Sequence, residues 1–453
     1  MTERFDVVVV GGGTAGLQAA LQLAETGRTV ALLERRSEGA SGARWCNGVL
    51  GWQFARAGLA QPSPPELRPT SGVAHMVSPS GRHRFTIADS PIVDADMRGL
   101  VERLRLGAAD AGVDLRWGVT DVELEVSWGR PTGLRARHGD TALHLVADLF
   151  VDAGGRRGVL RSQVPELAAA CPPCGPADLC SAQQLVIEVD DADGARRFLD
   201  EQGARAGDAV TRVGMAGGYS TINISVEPSL EEVSVLTGSI PATGAATGPE
   251  LLAQVRAEHR WMGRTIFGGG GLIPLRRTYD RFTAPGIALV GDAACQVMPG
   301  HGSGIGFGLI AGKVLAESVA AADDPGDPDA LWRYQATFLR ESGAILAGYD
   351  AVRRMSTRLG TKGVEAMFAS GVFSEALVRP GLDQRLGMLD ARQATDAARR
   401  LAADRSVARV VVPALSAMTT ARGLYRSYPA TGPGRSFDTW AAASRRLLPR
   451  QDT

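Results

Sequence analysis

The chain has 453 residues, of which 44% are hydrophobic and 22% charged, so it can bury a large core and has the composition of a globular protein. Its 49 basic and 49 acidic residues give a formal net charge of zero, which argues against nucleic acid as a partner. Five cysteines, an odd number, and a start without a secretory signal pattern argue against a secreted disulfide framework and predict a cytoplasmic protein.

The first 34 residues predict a strand, a tight turn, a helix and a second strand. Residues 7–10 form a continuous apolar run, which is typical of a strand buried on both faces of a parallel sheet. The turn carries Gly11-x-Gly13-x-x-Gly16, whose glycines permit the bend, the approach of a diphosphate and the packing of helix on strand. The helix N-terminus attracts phosphate, and Glu34 can accept hydrogen bonds from a ribose. The predicted dinucleotide-binding residues of this unit are Gly11, Gly13, Thr14, Ala15, Gly16, Glu34 and Arg35.

The middle of the chain predicts parts of two different sheets. Residues 93–112 have the apolar spacing of a helix, and residues 113–117 follow as a strand of the nucleotide-binding domain. Residues 181–266 contain alternating segments such as QQLVIEVDD and STINISVEP, which predict an antiparallel sheet with one wet face. Residues 268–271 are four consecutive glycines, and we expect a flexible segment there.

Three cysteines precede this antiparallel sheet in the segment ACPPCGPADLC. Cys171 and Cys174 have the Cys-x-x-Cys spacing, and Cys180 follows. Such a pair is compatible with inert thiols, with a redox-active dithiol or with zinc ligands. Zinc needs four ligands, and neither a second such pair nor a nearby histidine supplies the rest, so we predict no metal site.

Residues 286–312 combine a short apolar strand with a glycine-rich helix start. The strand, residues 286–290, ends at Gly291 and Asp292, so we expect the Asp292 carboxylate to point into the crevice where doubly wound sheets bind ligands. Six more glycines follow up to residue 312, although each one costs a helix interior up to about 1 kcal/mol relative to alanine. We infer that a flat, bulky group lies against this backbone and leaves no room for side chains.

These segments resemble the flavin signatures of the superfamily that contains aromatic hydroxylases, flavin halogenases and geranylgeranyl reductases. The matching segments are the first turn, LFVDAGGRRGVLR (residues 149–161) and GIALVGDAACQVMPGHGSGIGFG (residues 286–308). The resemblance implies FAD as the cofactor, with Asp292 on the ribityl chain and the Pro-x-x-Gly-x-Gly loop beneath the isoalloxazine. No second strand-GxGxxG-helix unit occurs, so we expect no separate nicotinamide domain. The FAD-binding residues implied by the two later segments are Asp152, Gly154, Gly291, Asp292, Pro299, Gly302, Gly304 and Ile305.

One further segment, SGARWCNGVLGWQFARAGL (residues 41–59), resembles the Cys-Gly segment that geranylgeranyl reductases place over the flavin. The resemblance implies that the Cys46 thiol donates a proton while reduced flavin delivers hydride to an alkene. In this chain Asn47 separates the cysteine from the glycine. By position, Arg44 is a candidate for contact with flavin or phosphate, and His301 is a candidate proton donor.

Sequence motifs that are typical of two branches of the superfamily are incomplete or absent in this chain. Of the aromatic motif that lines the prenyl tunnel of the reductases, only the end is matched in this chain, at Ile273-Pro274. The halogenases use a lysine in the N-terminal half, whereas no lysine precedes Lys313 in this chain, and we reject that branch. Aromatic hydroxylases share all three flavin segments and stay open.

The sequence thus predicts an α/β protein with a discontinuous Rossmann-type FAD-binding domain (residues 1–75, 93–165 and 275–327), an antiparallel β substrate domain (76–92 and 166–274) and a C-terminal helical region (328–453). We expect reduction of a carbon–carbon double bond in an apolar substrate, with isoprenoids as candidates, by hydride from reduced FAD. The alternatives are a flavin-dependent monooxygenase that hydroxylates an organic molecule, and a flavin–dithiol electron carrier. The expected partners are a small organic substrate and an external electron donor, either NAD(P)H or an electron-transfer protein. The arginine-rich segment after residue 405 is interpreted as a solvated helical cap rather than a membrane-surface anchor.

Overall fold

The computed structural model describes residues 2–387 and 390–448. The strands within them are β1 (Thr2–Val10), β2 (Val30–Glu34), β3 (Cys46–Leu50), β4 (Ala74–Val77), β5 (Arg84–Ile87), β6 (Ile92–Asp96), β7 (Asp114–Trp117), β8 (Val119–Ser127), β9 (Arg130–His138), β10 (Thr141–Asp152), β11 (Leu179–Val189), β12 (Ala209–Val213), β13 (Ser220–Val226), β14 (Glu232–Ser239), β15 (Met262–Pro274), β16 (Thr283–Ala284) and β17 (Ile287–Leu289). The α-helices are α1 (Thr14–Glu25), α2 (Gly51–Arg56), α3 (Met97–Asp110), α4 (Pro165–Ala170), α5 (Ala192–Gln202), α6 (Gly248–Glu258), α7 (Ile305–Val319), α8 (Pro328–Phe338), α9 (Ala344–Ala369), α10 (Glu375–Leu382), α11 (Ala391–Ala403), α12 (Arg405–Arg426) and α13 (Arg435–Leu447).

An eight-stranded sheet forms the first layer. Its spatial order is β16, β17, β10, β1, β2, β7, and β9 and β8 extend it from β10. The pairs of β1 with β2 and β10, of β2 with β7 and of β10 with β17 are parallel. Residues 7–10 are at most 5% exposed, as the apolar run predicts. Because parallel strands end at the same edge, the turns that follow β1, β10 and β17 come together there.

A seven-stranded sheet forms the second layer, in the order β15, β11, β14, β13, β12, β4, β5. Its pairs are antiparallel except for β12 with β4, which is parallel. The predicted antiparallel sheet over residues 181–266 is confirmed, and β4 and β5 join it from an earlier part of the chain. The helices α5 and α6 supply residues such as Phe198 and Leu252 to the core of this layer.

The C-terminal helical region is also confirmed. Within it, α11 begins at Ala391, because the Asp390 carboxylate caps it by accepting a hydrogen bond from the Gln393 N–H at 2.8 Å. Trp440 of α13 packs edge to face on Tyr425 and anchors the last helix on α12. Residues 388–389 and 449–453 of the predicted helical region lie outside the described residues.

Two expectations from the sequence are wrong. The helix expected over residues 93–112 starts only at Met97, because residues 92–96 form β6, which pairs with β3. The glycine run at residues 268–271 lies within β15, where it pairs with β11, and does not form a flexible segment. An added Cβ at Gly268 would lie 2.3 Å from the Gln184 carbonyl oxygen, so the missing side chains allow close approach of β11. In the part of the chain that the structure describes, no helix combines the length and the apolar character needed to cross a membrane.

Candidate functional site

The turn after β1 needs glycine for two different reasons. Gly11 has φ of +116°, and an added Cβ there would lie 2.2 Å from the Ala153 carbonyl oxygen. An added Cβ at Gly16 would lie 1.9 Å from the Gly11 carbonyl oxygen. By contrast, apart from Gly13 and its two neighbours in the chain, no described residue has an atom within 4 Å of the Cβ position of Gly13, the N-cap of α1, which has no side-chain capping bond. The N-terminus of α1 therefore faces open space, with the free N–H groups and partial positive charge that suit a phosphate.

Glu34 lies at the end of β2, next to this turn. One carboxylate oxygen accepts a hydrogen bond from the Gly12 N–H at 2.7 Å, and the other accepts from the Arg36 N–H at 2.8 Å. These bonds fix the carboxylate at the mouth of the turn. Arg35 is exposed beside it, while Arg44 is exposed and donates a hydrogen bond to the Gly39 carbonyl of its own loop.

Asp152 ends β10 and shapes the adjoining turn. Its fully buried carboxylate accepts hydrogen bonds from the N–H groups of Gly154 at 2.9 Å, Leu160 at 2.8 Å and Arg161 at 2.8 Å. Burial raises the pKa of this carboxyl, although the three N–H donors favour its charged form. Asp152 thus holds the turn whose Ala153 carbonyl presses against Gly11.

Asp292 follows β17 and has a different environment. Gly291 has φ of +64°, and an added Cβ there would meet the Ala15 side chain at 2.8 Å, so this turn touches the start of α1. Among the described residues, none donates a hydrogen bond to the half-buried Asp292 carboxylate. Burial raises the pKa of Asp292 to about 6, against the opposing charge of Arg156. A carboxylate without a protein donor is suited to accept hydrogen bonds from ligand hydroxyls.

The loop before α7 closes the same region. The Met298 N–H donates to the Ser303 carbonyl at 2.9 Å, and the Gly302 N–H donates to the Met298 carbonyl at 2.8 Å. Pro299 is buried in this loop. Gly304 is the N-cap of α7, which begins at Ile305 without a side-chain cap. Its Cβ position lies 3.3 Å from Asp292 Oδ1, so the second helix N-terminus opens beside the Asp292 carboxylate.

His301 projects from this loop. The residue is exposed, yet nearby protein atoms desolvate the imidazole and lower its pKa to about 4, although a hydrogen bond to the backbone of Gly381 opposes that shift. The ring is therefore neutral at pH 7.

Cys46 is brought to the loop by β3. The Ser303 hydroxyl donates to the Gly48 carbonyl at 3.2 Å, and the Cys46 N–H donates to Gln184 Oε1 at 2.9 Å. The strand that carries the thiol is thus tied to the α7 loop on one side and to β11 on the other. Burial raises the pKa of Cys46, and the nearby Asp94 charge raises it further, so the thiol is protonated.

Asp94 is a residue that sequence reasoning missed. It lies on β6 opposite Gly48, and Asp96 lies opposite Cys46. Directly opposed residues of an antiparallel pair point to the same face, so Asp94 and Asp96 share a face with Cys46. Burial raises the pKa of Asp94 to about 6. The only signal in the sequence was the Asp-x-Asp spacing, which by itself indicates nothing about Cys46.

Two arginines balance the acids of this face. The Arg98 guanidinium lies 2.6 Å from the Asp96 carboxylate and 3.3 Å from the centroid of the Phe267 ring. Arg68 forms ion pairs with Glu227 and Glu232. We call Cys46, Asp94, Asp96, Arg68 and Arg98 the Cys46 cluster.

The other cysteines do not lie in this cluster. The Cys171 thiol donates to the Arg281 carbonyl at 3.0 Å, and the Cys174 sulfur lies 3.5 Å from the Cys295 sulfur. The sequence offered no reason to connect Cys174 with Cys295, which belongs to the segment after Asp292. Cys180 is buried next to the strand of Gly238, and burial raises its pKa to about 12.

The family described as FAD dependent oxidoreductase matches residues 6–68, which include the turn after β1, Glu34 and Cys46. The chain is an FAD-dependent oxidoreductase. The oxidoreductase is similar to a digeranylgeranylglycerophospholipid reductase of Sulfolobus acidocaldarius, with 25% identity over 79% of this chain and 78% of that protein. It is also similar to a geranylgeranyl diphosphate reductase of Rhodobacter capsulatus, with 28% identity over 76% of this chain and 82% of the relative.

Solved structures share the fold of the oxidoreductase. A geranylgeranyl bacteriochlorophyll reductase-like protein of Thermoplasma acidophilum superimposes with a TM-score of 0.71 and 17% identity, over 91% of this chain and 100% of the other. A probable FAD-dependent monooxygenase of Pseudomonas aeruginosa superimposes with a TM-score of 0.58 and 17% identity, over 81% of this chain and 100% of the other. At these identities the likeness concerns the fold alone.

FAD fits the described residues on three observations. Open space lies in front of Gly13, the Asp292 carboxylate lacks a protein donor, and the helices α1 and α7 both begin without a side-chain cap. FAD is the cofactor of this oxidoreductase, as the resemblance implied. The enzyme accordingly acts on a small-molecule substrate and exchanges electrons with a redox partner.

Proposed function

We propose that this oxidoreductase reduces a carbon–carbon double bond in an apolar substrate of the isoprenoid class. The relatives named as geranylgeranyl reductases support the substrate class. The observation that carries the proposal is the buried, protonated Cys46 thiol on a strand bonded to the α7 loop through Ser303. A reduction of this kind needs both a hydride and a proton, and a protonated thiol is a proton donor.

The residues proposed to hold FAD fall into two groups along the edge of the eight-stranded sheet. The turn after β1 and Glu34 would hold the diphosphate and the adenosine ribose, whereas Asp292 and the α7 loop would hold the ribityl chain and the ring. Asp152 acts as a positioning residue, because its carboxylate is already occupied by three backbone donors. The antiparallel sheet would cover the ring, with domains divided as the sequence predicts.

Reduced FAD, when bound, supplies the hydride. The chain supplies the proton from Cys46 Sγ, and burial keeps that sulfur protonated through the neutral pH range. The pKa of His301 is lowered to about 4, so we assign proton donation at neutral pH to Cys46 and not to His301. We propose NAD(P)H or an electron-transfer protein as the electron donor, and the cytoplasm, where thiols stay reduced, as the compartment.

The test is anaerobic reoxidation of the photoreduced holoenzyme by geranylgeranyl diphosphate, followed by absorbance of the flavin. We expect reoxidation and a product with fewer double bonds. The Cys46→Ser and Cys46→Ala variants should keep the flavin spectrum but reoxidise about 100-fold to 10,000-fold more slowly, the usual contribution of a general acid. Cys180→Ser, which changes another buried cysteine, is the matched control and should react at the wild-type rate.

Two results would count against this proposal. Substrate-dependent oxygen uptake with a hydroxylated product would instead establish the monooxygenase alternative. If the Cys46→Ala variant is reoxidised at the wild-type rate, the thiol takes no part in the reaction, even if the alkene is reduced.

A further inference from the structure

The thiols of Cys174 and Cys295 form a close pair that the proposed reaction does not use. Their sulfur atoms lie 3.5 Å apart, although 121 positions separate the two residues in the chain. A disulfide requires about 2.05 Å between the sulfurs, so a movement of about 1.5 Å would join them. Neither residue is part of the Cys46 cluster.

A buried guanidinium accompanies this pair. Arg276 is 6% exposed, stacks over the Tyr279 ring at 4.7 Å from its centroid, and has one nitrogen, Nη2, without a hydrogen-bond partner among the described residues. Its charge interacts with Cys295, Tyr279 and Cys174. A buried cation of this kind is costly unless an anion compensates it, and a thiolate can do so.

The two sulfurs differ in access to solvent. Cys174 is half-buried between the exposed residues Pro173 and Gly175, whereas Cys295 is fully buried. The hydrogen bond from Cys295 lowers the pKa of Cys174 to about 7, and the charges of Arg276 and Arg161 act in the same direction. Cys174 is therefore placed to react first with a small reagent, and Cys295 is placed behind it.

We propose that Cys174 and Cys295 are a redox-active dithiol that exchanges with low-molecular-weight disulfides. The Cys174 thiolate attacks one sulfur of the external disulfide, forms a mixed disulfide and releases one thiolate. Cys295 then loses its proton and attacks Cys174 Sγ, which forms the protein disulfide and releases the second thiolate. Overall, one protein dithiol is oxidised and one small disulfide is reduced to two thiols, and the two protons leave with those thiols.

The test uses the full-length holoenzyme, equilibrated with oxidised and reduced glutathione and then blocked with N-ethylmaleimide. In buffers in which glutathione is mostly oxidised, we expect two fewer alkylated thiols than in reduced protein, and a disulfide-linked peptide pair that contains Cys174 and Cys295. Cys171→Ser is the matched control for the neighbouring thiol and should form the same link.

Two variants test the order of attack. Cys295→Ser should trap glutathione on Cys174, and Cys174→Ser should leave Cys295 unmodified. The link between Cys174 and Cys295 is measured in the wild-type protein. A folding defect in either variant therefore does not affect that measurement. A link between Cys171 and Cys174, or the retention of both Cys174 and Cys295 as alkylated thiols under oxidising conditions, would overturn the proposal.

Discussion

The glycine turn at residues 11–16 and the Cys46 cluster are two regions of the candidate site that are built in opposite ways. In the turn, function depends on the absence of side chains, since a Cβ at Gly11 or Gly16 would overlap neighbouring backbone atoms. In the cluster, function depends on side chains from three separate chain segments, where burial raises the pKa of Cys46 and the charges of Asp94 and Arg68 act on it in opposite directions. The comparison teaches that cofactor binding depends here on shape, whereas reactivity depends on electrostatic balance.

The sharpest way to break this comparison is to add side chains to the turn. Gly16→Val should cost about 3 kcal/mol of unfolding free energy or more, because its Cβ would lie 1.9 Å from the Gly11 carbonyl oxygen. Gly13→Ala is the matched variant, because its Cβ enters open space. It should leave the unfolding temperature of the apoenzyme unchanged but weaken FAD binding at least tenfold. Calorimetry and flavin titration measure both effects, and undiminished FAD affinity in Gly13→Ala would contradict the placement of the diphosphate.

A smaller effect on FAD binding and stability distinguishes the Asp292 carboxylate from the Asp152 carboxylate. Asp292→Ala should weaken FAD binding about tenfold to 100-fold, the range for hydrogen bonds to a charged group. The folded pKa of Asp292, about 6, is raised above its ordinary value, so its stabilising contribution is present at low pH and is lost as pH rises through 6. The Asp292→Ala apoenzyme should therefore be no less stable than wild type at pH 8 in denaturant titrations.

Asp152→Ala is the control for that experiment. It leaves three N–H groups without their acceptor and should lower the stability of the apoenzyme by several kcal/mol. Equal destabilisation by the two changes would refute the distinction between a structural and a ligand-binding carboxylate.

The smallest effect concerns the electrostatics of the Cys46 cluster. Burial raises the pKa of Asp94 to about 6, so wild type should lose stability relative to Asp94→Asn as pH rises from 4 to 7. We expect a difference of about 1–2 kcal/mol, because partial exposure screens the carboxylate. Urea titrations of both proteins at pH 4.5 and 7.5 measure it, and parallel pH profiles would show that Asp94 is not desolvated. The loss of the Asp94 charge should also lower the pKa of Cys46, which alkylation rates report.

Several predictions from the sequence hold because each depended on neighbours in the chain. The strand at residues 7–10, the glycine turn and the helix start near Gly304 follow from local sterics and apolar spacing. The wrong helix start at residue 93 has a non-local cause, because residues 92–96 form β6 by pairing with β3, which lies far earlier in the chain. The glycines at residues 268–271 were misread for the same reason, since their partner strand β11 is distant in sequence.

The sequence by itself determined the strand, glycine turn and helix at the edge of a parallel sheet, a unit suited to a dinucleotide, since the positions that must lack a side chain lie within a few residues of each other. The tertiary structure alone decided which distant side chains become neighbours: Asp94 beside Cys46 in one place, and Cys174 beside Cys295 in another. The physical reason is that protonation and thiol reactivity depend on burial and on charges a few ångströms away. Those neighbours are supplied by chain segments about 50 to 120 residues apart, so no local pattern records them.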